Sequence, residues 1–275
     1  MMSTFAAPDG TNLYFEEHGD PAGAPVLCLA GLTRNTRDFT YVQPTLSSAR
    51  MITMDYRGRG RSDRADPATY TVQTESGDAM ALLDHLGLSA AAILGTSRGG
   101  LIGMGLAAMV PDRVTGLMLN DIGPEINRAG LEAIGNYIGV RPTAKTLDEL
   151  AVVLSQTFAG FANVPMERWR SEATHNYAQT PAGVELSYDP ALRDGVLEAL
   201  KTPLPDLWAV FDMIKDIPLG LIRGEGSNLL TAAVVAEMRA RRPDLIFAEV
   251  PDRGHVPFLD EPQATAAITT WLEHL

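Results

Sequence analysis

The order of apolar and polar positions divides the chain into three stretches. In the first, STFAA and NLYFEEHG flank the turn sequence PDGT and predict a β-hairpin. PVLCLAG (25–31) is a continuous apolar run closed by glycine, the pattern of a strand buried on both faces. ARMITMDYRG (49–58) predicts the next strand. Residues 73–87 predict a helix, because Ala79, Leu82, Leu83 and Leu86 fall at i, i+3, i+4 and i+7 and Gly87 suits the C-cap. AAAILG (90–95) is a further buried strand, leading through Thr-Ser into the small-residue helix GGLIGMGLAAM, which stops before Pro111. VTGLMLND (114–121) follows as a strand. Strands separated by helices imply parallel βαβ units, and so a doubly wound, mostly parallel α/β sheet.

That rhythm breaks between about 124 and 205. No clear buried strand is found there, only helical stretches with scattered aromatics: Tyr137, Phe158, Phe161, Trp169, Tyr177 and Tyr188. The third stretch restores strand–helix order with PLGLIRG (218–224), a helix near 230–241, the strand LIFAEV (245–250) and a last helix. In that helix Pro262 fits the first position, and Ala264, Ala267, Ile268, Trp271, Leu272 and Leu275 form one apolar stripe. The organisation expected is one α/β core, 1–123 and 206–275, carrying a helical cap insertion over 124–205.

Composition narrows the function. The 275 residues are 45% apolar with a formal net charge of −12, which opposes binding to a phosphate backbone. Nucleic acid is not an expected partner. The single cysteine, Cys28, lies in an apolar run, so it is read as a small buried hydrophobe; an internal disulfide and a cysteine-based zinc site are excluded. The amino terminus has neither a basic n-region nor an apolar h-region, and no run of about 18 apolar residues occurs. The expectation is a cytoplasmic protein with no membrane partner. Its oligomeric state is not encoded in any pattern found.

The chemistry concentrates at Gly95-Thr96-Ser97-Arg98-Gly99, a G-x-S-x-G set between a buried strand and a helix. That context is what a nucleophile elbow requires: a sharp turn lifts Ser97 above the sheet, and the flanking glycines let strand and helix approach. A serine hydroxyl needs a base. Of the five histidines, His255 in PDRGHVPF follows the last strand and is the candidate. His85 and His274 suit surface positions, His18 belongs to the amino-terminal hairpin, and His175 falls in the insertion, where a solvated face is favoured over substrate contact.

Together these residues resemble the α/β-hydrolase family over nearly the whole chain. LAGLTRN, DYRGRGRSD, RGEGSNLL and RGH add to the resemblance. It implies the order nucleophile, acid, histidine, and an oxyanion hole formed by the main-chain N–H groups of Leu32 and Arg98. Many relatives carry His-Gly where this chain has Ala30-Gly31; the hole uses a backbone donor, so the change need not abolish it. The loop Asp55–Ser62 resembles the family's D-x-R-G-x-G-x-S, for which a structural role is favoured over an anion site.

The acid is the open question. Relatives usually read S-D-L-L where this chain reads Ser227-Asn228-Leu229-Leu230, and an amide carries no charge to stabilise an imidazolium. Three readings stand. Asp121, 24 residues after Ser97, supplies the carboxylate, as in those members of the family that place it after this strand. Alternatively Asn228 marks a weakened triad, or Glu225 reaches over. They are preferred in that order.

The function expected is a serine hydrolase of carboxylic esters or lactones, small-molecule substrates, with no cofactor and no metal. The aromatics of the insertion are expected to line a mostly apolar pocket. Arg34, Tyr137 and Trp169 are candidate substrate contacts, and Arg34 or Arg98 would add preference for an anionic group unless paired with carboxylates. The alternatives are a ligand-binding protein derived from a hydrolase, which Asn228 favours, and a cofactor-free C–C hydrolase or perhydrolase.

Overall fold

A computed structural model describes residues 3–214 and 217–275. The first two residues of the amino terminus, and residues 215–216 within the expected core stretch 206–275, lie outside the described residues. The chain opens with the antiparallel hairpin β1 (Ser3–Ala6) and β2 (Asn12–Gly19), followed by β3 (Pro25–Leu29), β4 (Arg50–Met54) and α1 (Val72–His85). Then come β5 (Ala91–Thr96), α2 (Arg98–Met109) and β6 (Val114–Asn120). Eight strands form one sheet in the order β1-β2-β4-β3-β5-β6-β9-β10, where β9 is Leu219–Gly224 and β10 is Ile246–Val250. All pairings from β4 through β10 are parallel; β2 runs antiparallel to β4. The doubly wound, mostly parallel sheet expected from the strand–helix alternation is therefore present.

Helices cover both faces. Successive residues of a strand point to opposite sides, so β6 reports on each in turn. Its Leu117 meets Gly103 of α2, whereas a Cβ on its Gly116 would press against Trp271 and Leu275 at the other end of the chain. Trp271 belongs to the last helix and is fully buried, its indole N–H donating to the Pro218 carbonyl at 3.1 Å. Every side chain from Val26 to Leu29 is out of reach of solvent, as a two-sided strand requires. Cys28 lies among them, and burial pushes its thiol pKa up. Among the described residues no helix is long and apolar enough to cross a membrane.

Between β6 and β9 the chain leaves the sheet. It forms α3 (Arg128–Tyr137), α4 (Leu147–Thr157), α5 (Met166–Asn176), the hairpin β7 (Tyr177–Thr180) and β8 (Gly183–Leu186), α6 (Leu192–Ala199) and α7 (Trp208–Asp212). Asn127 and Thr146 cap α3 and α4 by accepting from main-chain N–H groups of the first turn. This stretch has an apolar centre of its own, built from Leu150, Leu154, Trp169, Ala173 and Val184. The hairpin departs from the purely helical expectation. Its strands are only four residues each and only Gly183 and Val184 are buried, so they leave no buried apolar run to read. The chain closes with α8 (Ala232–Arg241) and α9 (Pro262–Leu272).

Candidate active site

Three sequence-distant side chains meet at the carboxyl ends of the parallel strands. Ser97 follows β5, Asp121 follows β6, and His255 lies in the loop after β10. Ser97 adopts φ 50°, in the left-handed region where a non-glycine residue is strained by roughly 1–3 kcal/mol. The glycines on either side are steric necessities: a Cβ on Gly99 would fall 1.9 Å from the Leu29 carbonyl oxygen, and one on Gly95 would fall 2.5 Å from that of Gly99. Helix α2 thus starts tight against β3, with Ser97 at its N-terminus.

The Ser97 Oγ lies 2.9 Å from His255 Nε2, and the other ring nitrogen, Nδ1, lies 2.7 Å from Asp121 Oδ2. Asp121 is fully buried, and its carboxylate is surrounded by donors. The Gly224 N–H donates to Oδ1 at 2.9 Å, and the Ser227 hydroxyl donates to Oδ2 at 2.6 Å. Three donors, counting His255, converge on the carboxylate and fix its plane. A carboxylate so held makes Nδ1 the donor, leaving Nε2 to accept from Ser97.

The other two acid candidates lie apart from this chain of hydrogen bonds. Glu225 is exposed, with its N–H donating to the Val250 carbonyl at 2.9 Å. Asn228 is exposed too, on an outer groove that also touches Tyr137, Phe158 and His255. Its neighbour Ser227 is the residue this loop directs at the acid. Sequence reasoning passed over Ser227, although it stands beside the residue that raised the question. Its oxygen also accepts from the N–H groups of Leu229 and Leu230, at 3.3 and 3.1 Å, which leaves its proton free to point at Asp121.

Next to Ser97, the main-chain N–H groups of Leu32 and Arg98 enter no turn or cap hydrogen bond among the described residues. The Leu32 loop is braced from several sides. Ala30 accepts from the Tyr56 hydroxyl and from the Gly99 N–H, both at 3.1 Å, and Leu32 accepts from Arg59 Nε at 3.0 Å. Arg59 is itself fully buried and ion-paired at 2.8 Å with Glu75, which also binds the Arg98 guanidinium. Glu75 thereby ties the loop on one side of Ser97 to the helix on the other. A carboxylate aligned with the apolar positions Ala79, Leu82 and Leu83 of α1 was the available signal for such a buried partner. Arg57 makes a two-pronged contact with Asp78, both distances 2.7 Å. The 55–62 loop is thus structural scaffolding in this fold.

The space in front of Ser97 and His255 is bordered by Leu32, Arg34, Ile134, Tyr137, Phe158 and Val256. It adjoins a deeper cavity beneath Trp169, Phe161 and Phe258, whose rings lie edge-on to or tilted against one another. Arg34 and Tyr137 therefore stand beside the serine, and Trp169 one layer further in. Arg34 is paired with Glu172 at 2.8 Å and Asp38 at 3.5 Å. Burial works against its charge, but the two carboxylates outweigh that and hold its pKa above the ordinary value. Burial also pushes the Asp38 carboxyl up to about 6 despite the pull of Arg34. Neither Arg34 nor Arg98 is therefore an unpaired cation awaiting an anion. The aromatics of the insertion line this space as expected, and the deeper cavity adds the polar side chains Asp38, Asn120, Glu172 and Asn176 to them. His175 stays out of both spaces, half-buried against the Tyr41 ring at 5.7 Å.

Comparison with known proteins agrees with the fold. A model of the alpha/beta hydrolase family matches residues 26–268. The chain is 39% identical to a 3-hydroxybutyrate-oligomer hydrolase of Cupriavidus necator, over 92% of this chain and 90% of that protein. It is 26% identical to a 2-(acetamidomethylene)succinate hydrolase of Mesorhizobium japonicum, over 92% and 89% respectively. The crystal structure of an alpha/beta hydrolase from Novosphingobium aromaticivorans superposes with a TM-score of 0.90 at 36% identity, covering 100% of this chain and 98% of that one. The chain belongs to the alpha/beta hydrolase family of enzymes.

Proposed function

We propose that the protein hydrolyses carboxylic esters or lactones of small acids through an acyl-enzyme, with Ser97 as nucleophile, His255 as general base and Asp121 as the acid. The observation that carries this reading is the continuous hydrogen-bonded line Asp121–His255–Ser97, with distances of 2.7 and 2.9 Å. Residues 124–205 act as a cap over it. The similarity to a hydrolase of 3-hydroxybutyrate oligomers, which are polyesters, supports the ester bond as the target.

In the first half-reaction the Ser97 Oγ attacks the acyl carbon and its proton passes to His255 Nε2. The carbonyl π pair moves onto oxygen, and that oxyanion is held by the N–H groups of Leu32 and Arg98. Collapse expels the alkoxide, which takes the proton from Nε2 and leaves as the alcohol. In the second half, water loses a proton to Nε2 while attacking the acyl carbon. Ser97 departs, recovers the proton, and the free acid is released. Asp121 stays ionised throughout and stabilises the imidazolium.

The ligand-binding alternative drew its support from Asn228, and that support falls away once a carboxylate faces His255. Labelling with a fluorophosphonate probe and turnover of p-nitrophenyl butyrate test the reading together. The wild-type chain is expected to do both and Ser97→Ala neither; a folded wild type that does neither refutes it.

A further inference from the structure

The deeper cavity contains polar groups that the proposed mechanism does not use. Its free volume is ≈ 50 Å³, space for roughly three or four water-sized groups. It shares Thr33, Arg34, Thr96, Tyr137, Phe158 and Val256 with the space in front of Ser97. Two of its lining residues, Asn120 and Asn176, are almost wholly buried, at 1% and 6% exposure, and each keeps its side-chain oxygen without a donor among the described residues. The orientation of both amides is fixed by chemistry. Asn120 Nδ2 points at the Pro257 carbonyl at 3.1 Å, and Asn176 Nδ2 at the Glu172 carbonyl at 3.0 Å. A carbonyl only accepts, so the amide nitrogen must face it and the oxygen must be the free atom.

The charged groups on this wall are Arg34, Asp38 and Glu172. Arg34 already meets two carboxylates, so the cluster carries no surplus positive charge whether or not Asp38 holds a proton. The wall thus offers two unfilled acceptors beside an acidic pair. A buried acceptor left unpaired costs about 1–3 kcal/mol, relieved by any group that brings a proton to it. A carboxylate cannot do this and meets repulsion as well; a hydroxyl can.

We propose that this cavity is an acyl subsite that recognises a hydroxyl group on a short acyl chain, through Asn176 and Asn120, and rejects a carboxylate at the same place. The proposal rests on the ester-hydrolase reading and deepens it. It also sets the direction of binding for a hydroxy-acid ester: the hydroxyl-bearing acyl half enters the cavity, and the alcohol half, with any carboxylate, faces outward along the groove past Asn228.

The test compares kcat/KM for p-nitrophenyl butyrate, p-nitrophenyl 3-hydroxybutyrate and p-nitrophenyl hydrogen succinate. The hydroxy ester is expected to exceed butyrate by about tenfold or more, the discrimination that one buried hydrogen bond supplies, and succinate is expected to be poorest. In Asn176→Leu the hydroxy-to-butyrate ratio is expected to fall toward one. A second readout needs no variant: 3-hydroxybutyramide is expected to inhibit the wild type at concentrations about tenfold lower than butyramide. Equal constants for butyrate and 3-hydroxybutyrate, equal inhibition by the two amides, or preference for succinate overturns the subsite while leaving the esterase intact. A preference that survives Asn176→Leu overturns the role given to Asn176. Turnover of none of the three esters overturns the esterase reading, and the subsite with it.

Discussion

Replacing Asp121 by asparagine tests the position of the acid, and the structure dictates how the amide must sit. The Gly224 N–H, 2.9 Å from Oδ1, needs an acceptor there. In Asp121→Asn the amide oxygen therefore takes that place, and the NH2 group falls where Oδ2 now meets His255 Nδ1 at 2.7 Å. Two donors cannot face each other, so Nδ1 becomes the acceptor and the ring proton moves to Nε2. Nε2 then has no lone pair with which to take the proton of Ser97. The same tautomer inversion in the serine proteases costs about 10⁴ in kcat, and a loss of that order is expected here. The Ser227 hydroxyl, which donates to Oδ2, can turn to accept from the new NH2 only by giving up one of the two N–H groups, of Leu229 and Leu230, from which it now accepts. The assay is steady-state hydrolysis of p-nitrophenyl butyrate, with circular dichroism to establish that the variant is folded. Asn228→Asp, at an exposed position, is expected to change kcat by less than about fivefold. An Asp121→Asn variant that retains more than a tenth of wild-type kcat, or an Asn228→Asp variant that raises kcat by orders of magnitude, would rule out Asp121 as the acid.

Other consequences concern the surroundings of the same line. Ser227→Ala removes one charge-assisted hydrogen bond to Asp121 and is expected to lower kcat about tenfold with KM little changed, Ser227→Thr restoring it; equal kcat in wild type and Ser227→Ala would remove Ser227 from any positioning role. Glu75→Gln leaves the buried Arg59 and Arg98 without their shared carboxylate, so urea unfolding is expected to show a loss of about 3–5 kcal/mol. A loss under ~1 kcal/mol would mean that the network does not hold the Leu32 loop to α2. Asp38 has its pKa raised from 3.8 to about 6, so between those values the folded chain keeps a proton that the unfolded chain has released. Its contribution to stability is full below about pH 4 and is lost as pH rises through 6. Relative to wild type, Asp38→Asn is therefore expected to gain stability from pH 4 to pH 7, by at most ~3 kcal/mol. A difference in Tm that does not vary with pH would contradict that shift.

Much of the core was legible because it is built from local periodicity. The two-sided strands read as unbroken apolar runs, and α1 and α9 as stripes, since burial on a sheet imposes those patterns whatever the rest of the chain does. Ser97 was legible for a similar reason: the contacts that demand glycine at 95 and 99 lie within one turn of it or on the adjacent strand. The cavity wall was not. Arg34 meets Glu172 across 138 residues, and Asn176 sits at the end of a helix whose polar positions look like any solvated face. Which of those positions turn inward is decided by how the inserted helices seat on the core, and no local pattern encodes that.

The acid lies between these cases, and the sheet explains why. Strands β6 and β9 are parallel neighbours, with Asn120 paired to Ile222. One step beyond that pair the Asp121 N–H donates to the Ile222 carbonyl at 2.8 Å, and the Gly224 N–H returns a bond to the Asp121 carboxylate. The ends of the two strands therefore converge on one point next to His255, and a side chain leaving either strand can reach it. What the imidazole constrains is the presence of a carboxylate at that point in space, held by donors. It places no constraint on which strand supplies it. On the proposal that Asp121, after β6, is the acid, the loop after β9 need not carry one and has the complementary task of donating to it, which the Ser227 hydroxyl performs. An amide at position 228 costs nothing in that arrangement, because the position no longer faces the histidine's Nδ1. The sequence motif thus records one of two equivalent solutions, and the absence of a carboxylate from it is informative only together with the residue that follows β6.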